Sequence, residues 1–366
     1  MGLNINNSIN NDKFIIYKYI KKMEKINYRI PSLDGLRAIS ITIVILRHLL
    51  SQKYLSPNFE YVPLLFDGQF GVNVFFIISG FLITTLLLRE VEKSGRISIR
   101  KFYFRRILRI FPAYFFLILF YGILSYFNFI EITGKSWITA LTFTKFLNGG
   151  TDWYTWHTWS LSVEEWFYLI WPLLFLKKNR QVVLWLICIF VPIIKILSYY
   201  NLISHISDLS LFTRADAIAT GCLFGINKIK IEKMLFKKNK LCNYILLLLG
   251  LNILITLSHY VININQKALS IGFAGSHGTI ANITIGIILI YSIQIEKNFW
   301  YKLLNHKITV FIGTISYSLY LWQQFFIYDT IKWYNGFPIN IILMFLCSLG
   351  SYFFIEKTFL KLKGVI

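Results

Sequence analysis

Two long uncharged runs limit what this chain can fold into. Residues 70–88 and 111–130, which are 19 and 20 residues long, contain no Asp, Glu, Lys or Arg. A helix rises about 1.5 Å per residue, so about 20 residues cross the ~30 Å hydrocarbon core of a bilayer. A membrane β-barrel would instead show short segments of alternating hydrophobicity. The two runs therefore predict an all-α integral membrane protein.

The composition of the whole chain agrees with this fold class. Hydrophobic residues make up 56% of the 366 residues and charged residues 15%, whereas a soluble domain carries about 25% charge. We expect a basic N-terminal segment (1–30), a membrane domain (31–358) and a short tail (359–366). The apolar pattern predicts ten spans, near residues 35–52, 69–88, 110–129, 160–176, 181–200, 209–227, 241–260, 278–295, 309–329 and 338–356.

The positive charge is distributed unevenly between the predicted loops. In a soluble protein, the net charge of +21 would suggest a nucleic-acid partner. Here 30 of the 38 Lys and Arg residues fall on the side of the predicted spans that holds the N-terminus. Such loops stay in the cytoplasm, so we predict cytoplasmic N- and C-termini and no nucleic-acid partner. The first 30 residues are polar and Lys-rich, unlike a signal peptide.

The first predicted span contains an arginine and a histidine, Arg37 and His48. Ionisable groups inside membrane helices are costly and are usually functional. An eleven-residue separation places both side chains on one helical face, roughly 16 Å apart along the axis. We expect this face, which also carries Ser40 and Val44, to point into the helix bundle. An imidazole deep in a span suits a proton acceptor, and the alternative is a structural histidine bonded to a carbonyl.

A basic cluster precedes the span that opens at Pro112. It ends at Arg105, Arg106 and Arg109. Arg106 and Arg109 share a helix face, and paired guanidinium groups suit a nucleotide phosphate. The alternative is loop charge that only sets the topology and contacts lipid head groups. The chain contains no Walker loop or Gly-rich dinucleotide motif, so Arg and Lys would hold a phosphate-bearing donor.

Further polar residues lie at the start of the fourth and sixth predicted spans. His157, Trp159 and Glu164 open the fourth, after a Trp-rich outer loop that suits an interfacial aromatic belt or a cap that stacks sugar rings. Arg214 and Asp216 are two residues apart, so they cannot face each other on a helix. Each needs another partner, such as Glu164 or a substrate, and a structural charge network is an equal alternative.

The sequence offers little for metal or nucleophilic chemistry. Its four cysteines are scattered through apolar segments without metal or redox spacing, so we interpret them as packing residues. The chain contains no Gly-x-Ser-x-Gly elbow, which argues against a serine nucleophile. We predict no metal site and no permanently bound cofactor.

Several segments, taken together in this order, resemble acyltransferase family 3. Its members are bacterial membrane enzymes that O-acylate surface polysaccharides, lipopolysaccharide O-antigens, peptidoglycan and nodulation factors. The resemblance extends from about residue 31 to residue 357. The segments are residues 33–39 with His48, 71–82, 105–112, 157–164, 214–216 and 315–322.

The resemblance implies a multi-pass enzyme of the bacterial cytoplasmic (inner) membrane. Such an enzyme transfers an acyl group, usually acetyl, from cytoplasmic acyl-CoA to a hydroxyl of a cell-surface or lipid-linked glycan. Donor, glycan and lipid bilayer are the expected partners, and the oligomeric state stays open. The predicted catalytic residues are His48, Arg37 and Glu164, with His48 as general base and Glu164 orienting it or the sugar hydroxyl. The predicted acyl-CoA-binding residues are Arg105, Arg106 and Arg109. The residues predicted to bind the acceptor or support the site are His157, Trp159, Arg214 and Asp216.

Three positions depart from the family pattern. Asn73 stands where the family often has Asp, Trp166 where it often has Gln, and Gln323 where it often has His. Gln323 weakens any role for a second histidine there, and Trp166 suggests a differently shaped acceptor cleft. Many relatives carry a C-terminal extracytoplasmic esterase-like domain, which we do not expect here.

Two other classes of function compete with this interpretation. One is a transporter of polysaccharide or lipid-linked sugar, with His48 and Glu164 as a proton relay. The other is a structural scaffold of a cell-envelope complex. Neither needs a CoA-sized phosphate site, so the Arg-rich loop distinguishes the enzyme from both.

Overall fold

The computed structural model describes residues 30–52, 68–147, 152–199, 210–236, 267–296, 298–328 and 333–362, together with Gly250. These residues are mainly helical and contain no β-strand, which confirms the all-α prediction. The helices are α1 (Leu33–Ser51), α2 (Gly68–Ser94), α3 (Ile99–Tyr126), α4 (Gly134–Leu141), α5 (Trp153–Trp156), α6 (Thr158–Phe175), α7 (Arg180–Tyr199), α8 (Ser210–Ile226), α9 (Lys228–Phe236), α10 (Lys267–Gln294), α11 (Phe299–Leu304), α12 (Lys307–Thr314), α13 (Ser316–Phe326), α14 (Ile339–Gly350) and α15 (Lys357–Lys361), with a 3-10 turn at Trp333–Asn335 and a π-helix at Ser351–Glu356.

Within the described ranges, four helices are long and apolar enough to cross a membrane. They are α2, α3, the Arg180–Leu197 part of α7, and the continuous helix Ile339–Lys361. Helices α1, α6, α8 and α10 overlap other predicted spans, whereas the predicted span at 309–329 is divided between α12 and α13. Except for Gly250, the predicted span at 241–260 lies outside the described residues. The count of ten spans therefore stays a prediction.

The orientation of the chain can be tested with topology reporters. A reporter fused after Ile366 is expected to be cytoplasmic, and one inserted at Gly149 external, because the Lys and Arg residues cluster on the N-terminal side of the predicted spans. A phosphatase active only outside and a fluorescent protein active only inside would measure both positions. The reverse pattern would contradict the predicted topology.

The most extensive helix packing in the described bundle joins α2 to α8. At Gly80, a Cβ atom would lie 2.2 Å from the Ile218 carbonyl oxygen, and at Gly221 one would lie 2.3 Å from the Ile77 carbonyl oxygen. Small residues let helix backbones approach in this way in membrane proteins. The contact fixes the rotation of α2 and thereby the direction in which Ser79, next to Gly80, points.

Gly80→Ala is expected to destabilise the protein by about 1–3 kcal/mol, because its methyl group would overlap the α8 backbone. Gly122→Ala in α3 is the matched control, since its Cβ would have no neighbour nearer than 4.0 Å. There the change should be neutral or stabilising by up to about 1 kcal/mol. Thermal unfolding in detergent measures both variants, and equal midpoints would contradict the close packing.

Hydrogen bonds at two places hold helix α1 and orient the face that carries Arg37, Ser40 and Val44. Ser40 Oγ donates a hydrogen bond of 2.5 Å to the Gly71 carbonyl of α2. At the start of the helix, the Asn305 side chain accepts from the Ser32 amide at 3.0 Å and donates to Ser32 Oγ at 2.9 Å. Ser40 and Val44 are buried, and Arg37 is only 16% exposed. The prediction that this face points into the bundle is confirmed.

Candidate functional site

A cavity of about 90 Å³ lies among α1, α2, α3, α6 and α13. Its wall is mainly apolar and aromatic, but several charged and hydroxyl groups enter it. Three of these polar groups are arginines that the sequence analysis predicted to be functional, one on α1 and two on α3. The polar lining residues are Arg37, Ser79, Arg106, Arg109, Ser160, Glu164, Tyr168, Ser316, Tyr317 and Tyr320.

The arginines of the cavity are held differently from one another. Arg37 Nη1 lies 2.8 Å from Asp34 Oδ1, one turn earlier on α1. The Arg106 guanidinium carbon lies 5.2 Å from the centre of the Tyr168 ring, a distance suited to a cation–π contact. Arg109, three residues after Arg106 on α3, also lines the cavity. These groups can therefore receive an anion in the cavity together.

The structure places Arg105 apart from the other two arginines of its cluster. Arg105 Nη2 lies 3.5 Å from Glu90 Oε2 at the α2–α3 turn, and its side chain is 42% exposed. It is absent from the cavity lining, which Arg106 and Arg109 share. Adjacent residues on a helix point about 100° apart, which separates Arg105 from its neighbour.

Glu164 lies in the arginine cavity. Its Oε1 accepts a hydrogen bond of 2.9 Å from Ser79 Oγ, and its Oε2 lies 3.4 Å from the Tyr168 hydroxyl. The same hydroxyl donates to Ser79 Oγ at 3.0 Å. These two partners hold the carboxylate in the structure, and the role of Glu164 in orienting His48 or the sugar hydroxyl stays a prediction. Sequence reasoning missed Ser79 and Tyr168, which look like ordinary core residues.

His48 has a different partner, contributed by α13. His48 Nδ1 lies 3.2 Å from Gln323 Oε1, across 275 positions of sequence. The indole of Trp153 meets the imidazole edge-on, with ring centres 6.2 Å apart. Gln323 is fully buried, and its Nε2 has no hydrogen-bond partner. In the sequence, Gln323 stood out only because the resembled family often has a histidine at this position.

His157 is buried behind the wall of the arginine cavity. The residue is 3% exposed, and neither ring nitrogen makes a hydrogen bond of normal geometry, although the Leu321 backbone lies close to the ring. Its ring centre is 5.4 Å from that of Tyr320, whose hydroxyl donates to the His157 carbonyl at 2.7 Å and contacts Ser160 Oγ at 2.5 Å. Because Tyr320 and Ser160 line the cavity, the cavity and His157 share a wall.

Arg214 and Asp216 occupy separate environments. The Arg214 guanidinium carbon lies 5.9 Å from the centre of the Trp159 ring. Asp216 Oδ2 accepts from Lys195 Nζ at 3.1 Å and from Asn282 Nδ2 at 3.0 Å. The hydrogen bonds of Asp216 fit the structural charge network that the sequence left as an alternative, and the acceptor-binding or supporting role of the two residues stays a prediction.

The segment between α4 and α6 is anchored by a buried ion pair. Lys145 Nζ lies 2.9 Å from Asp152 Oδ2, and the two side chains are 0% and 6% exposed. Burial alone would raise the pKa of Asp152, but hydrogen bonds from Ser136, Thr155 and Lys145 outweigh it and lower this pKa. The resulting stabilisation is present at neutral pH and is lost as the pH falls through the lowered pKa. The pair fixes α5, and with it Trp153 beside His48.

The fold and this site define a class of protein: a helical membrane protein with a buried arginine-lined cavity, a buried histidine behind its wall and a second histidine in the helix that carries Arg37. Within the described ranges, no group of three His, Cys, Asp or Glu side chains could hold a metal ion. The family follows from sequence comparison. Residues 30–355 match acyltransferase family 3, which is described as an acyltransferase domain. Since the match covers most of the chain, this protein belongs to that family.

Named relatives extend the comparison. The peptidoglycan O-acetyltransferase OatA of Listeria monocytogenes is 27% identical over 327 residues, which are 80% of this chain and 49% of the relative. The O-acetyltransferase OatA of Staphylococcus aureus strain NCTC 8325 is 29% identical over 383 residues, or 95% of this chain and 60% of the relative. This chain thus spans between half and three fifths of their length. No solved structure matches it significantly.

Proposed function

We propose that this protein is a membrane O-acyltransferase that transfers an acyl group, in the first instance acetyl, from cytoplasmic acyl-CoA to a hydroxyl of a cell-surface or lipid-linked glycan. The observation that carries the proposal lies along α1. Arg37 stands in a cavity with two further arginines, and His48 lies roughly 16 Å further along the same helix face. Membership of the family and the names of the relatives support this reaction class.

The charge of the cavity supports a phosphate-bearing donor. Arg37, Arg106 and Arg109 face it with Glu164 as the one acidic residue of its lining, and Asp34 pairs with Arg37 beside it. Buried charges are costly unless they are paired, and the three guanidinium groups outnumber these two carboxylates, which favours an anion. Guanidinium groups bind phosphate through charge-assisted, often bidentate hydrogen bonds. In the predicted topology this end of the site is cytoplasmic, where acyl-CoA is available.

The environment of His48 supports a role as general base. Gln323 Oε1 can only accept a hydrogen bond, so its contact with His48 Nδ1 favours the neutral tautomer with the proton on Nδ1. The lone pair of Nε2 is then free to take a proton. A sugar hydroxyl is almost fully protonated at neutral pH, so it needs such a base as it attacks.

We propose direct transfer without an acyl-enzyme intermediate. The acceptor oxygen forms a bond to the thioester carbonyl carbon while His48 Nε2 takes the hydroxyl proton. The carbonyl electron pair moves onto oxygen and then returns, which breaks the carbon–sulfur bond. The CoA thiolate leaves and receives the proton from His48, so the products are an O-acyl glycan and free CoA thiol. An acyl-histidine intermediate is the lesser alternative.

The aromatic residues near His48 support a glycan acceptor that enters from the outer side. Trp153 and Tyr328 stack with ring centres 5.3 Å apart, and the Trp153 edge meets the His48 imidazole. Trp156, on the same short helix as Trp153, is 45% exposed. Aromatic faces of this kind suit sugar rings. The name of the Listeria relative makes peptidoglycan the first acceptor to test.

The test uses membranes that contain the full chain and labelled acetyl-CoA. The proposal expects release of free CoA thiol and labelled O-acetyl esters on glycan, both dependent on this protein. Glycan export or lipid-linked sugar movement without ester formation would instead support the transporter. Comparison of the surface glycans of the host with and without the protein identifies the acceptor.

A further inference from the structure

An unpaired polar group lies on the side chain that contacts His48. The fully buried Gln323 has no partner for Nε2, and its Oε1 contacts the candidate base. His157, which is 3% exposed, makes no hydrogen bond of normal geometry from its ring, although the Leu321 backbone lies close to it. Buried polar atoms without partners are rare in folded proteins, so the free Nε2 beside the base indicates a polar group that enters during function.

The contacts place these groups together. Gln323 Oε1 bonds to His48 Nδ1, which leaves Nε2 of the same planar amide beside the imidazole. Tyr320, one turn before Gln323 on α13, packs on the His157 ring. Tyr320 also lines the arginine cavity. Gln323 Nε2 thus lies beside the base, on the same helix as the cavity residue Tyr320, and His157 packs on Tyr320.

We propose that Gln323 Nε2–H, assisted by a ring N–H of His157, binds the carbonyl oxygen of the acyl group as negative charge develops on it. This inference rests on the proposed acyltransferase function. In the step written above, the carbonyl electron pair moves onto this oxygen when the acceptor attacks, and both N–H groups then stabilise the oxyanion. Preorganised donors in a site shielded from water supply this kind of stabilisation. Gln323 would then serve twice, holding the His48 tautomer with Oε1 and the oxyanion with Nε2.

Two substitutions separate the two roles of Gln323. Gln323→Glu keeps an acceptor for His48 Nδ1–H but removes the N–H donor, whereas Gln323→Leu removes both. Loss of one oxyanion donor costs about 10²–10³ in kcat, so both variants should lose at least that much. The Km for acetyl-CoA should stay within about three-fold of the wild type, because the N–H of Gln323 acts on the oxyanion and not on the bound donor before reaction.

The neighbouring glutamine is the matched control. Gln324 has the same side chain, is 1% exposed and lies on the same helix; its unpaired atom is Oε1, which cannot donate to an oxyanion. Gln324→Leu should therefore leave kcat within about three-fold. His157→Leu should lower kcat by about ten-fold or more, and His157→Gln, which keeps an N–H, should recover part of that loss. Protein in the membrane and acetyl-CoA binding are measured for each variant.

The outcomes distinguish this inference from the proposed function. If Gln323→Glu keeps near wild-type kcat with a shifted pH profile, Gln323 acts only on the His48 tautomer and the oxyanion role is overturned. Equal losses in Gln323→Leu and Gln324→Leu would also overturn it. If the wild type binds acetyl-CoA but acylates no glycan, the proposed function itself fails. The inference is supported by a loss specific to the variants without the N–H at position 323.

Discussion

His48→Ala is expected to lower glycan acylation by about 10²–10⁴-fold, the usual cost of losing a general base. The physical reason is that the acceptor hydroxyl then attacks the thioester without a group to take its proton. Acyl-CoA binding should persist, because His48 is not among the residues that line the arginine cavity. Labelled acetyl transfer to glycan and labelled acetyl-CoA binding, measured in the same membranes, test both halves of this expectation.

A second histidine provides the control. His306 is an exposed residue whose ring caps the start of α12. His306→Ala should cost about 1 kcal/mol of stability, as the loss of a helix cap does, and should leave acylation unchanged. Near-normal acylation by His48→Ala would show that the base lies elsewhere, with His157 the next candidate.

Arg106→Ala and Arg109→Ala are each expected to raise the acyl-CoA concentration required by about ten-fold or more. Each loses a charge-assisted hydrogen bond of about 1.5–3 kcal/mol to a CoA phosphate. Arg→Lys at either position should rescue only partly, because a point charge replaces a planar fork. Titration of labelled acyl-CoA into membranes measures the change.

Arg105→Ala is the matched control on the same helix. Arg105 is 42% exposed, pairs with Glu90 and lies outside the cavity lining. An exposed ion pair contributes about 0–1 kcal/mol, so this variant should bind acyl-CoA nearly as the wild type does. If all three alanine variants bind acyl-CoA normally, the arginine loop only sets the topology. If Arg105→Ala matches Arg106→Ala, the donor binds to the loop surface instead.

The sequence determined the fold class because that property depends on local composition. Uncharged runs at residues 70–88 and 111–130 can satisfy their backbone hydrogen bonds in a membrane only as helices or as a closed barrel, and their length favours helices. Helical periodicity also predicted that Arg37 shares a face with Ser40, and that Arg106 shares one with Arg109. The three arginines line one cavity because these predicted helix faces point into it.

The partners of the functional groups were decided by tertiary structure. Nothing local relates His48 to Gln323, which is 275 residues away, or Glu164 to Ser79. Such pairs depend on how each helix is rotated against its neighbours. In this protein that rotation is fixed where backbones touch, as at Gly80 against Ile218. Periodicity gives the face of a helix that is buried, but only the packing of two surfaces decides which side chain it meets.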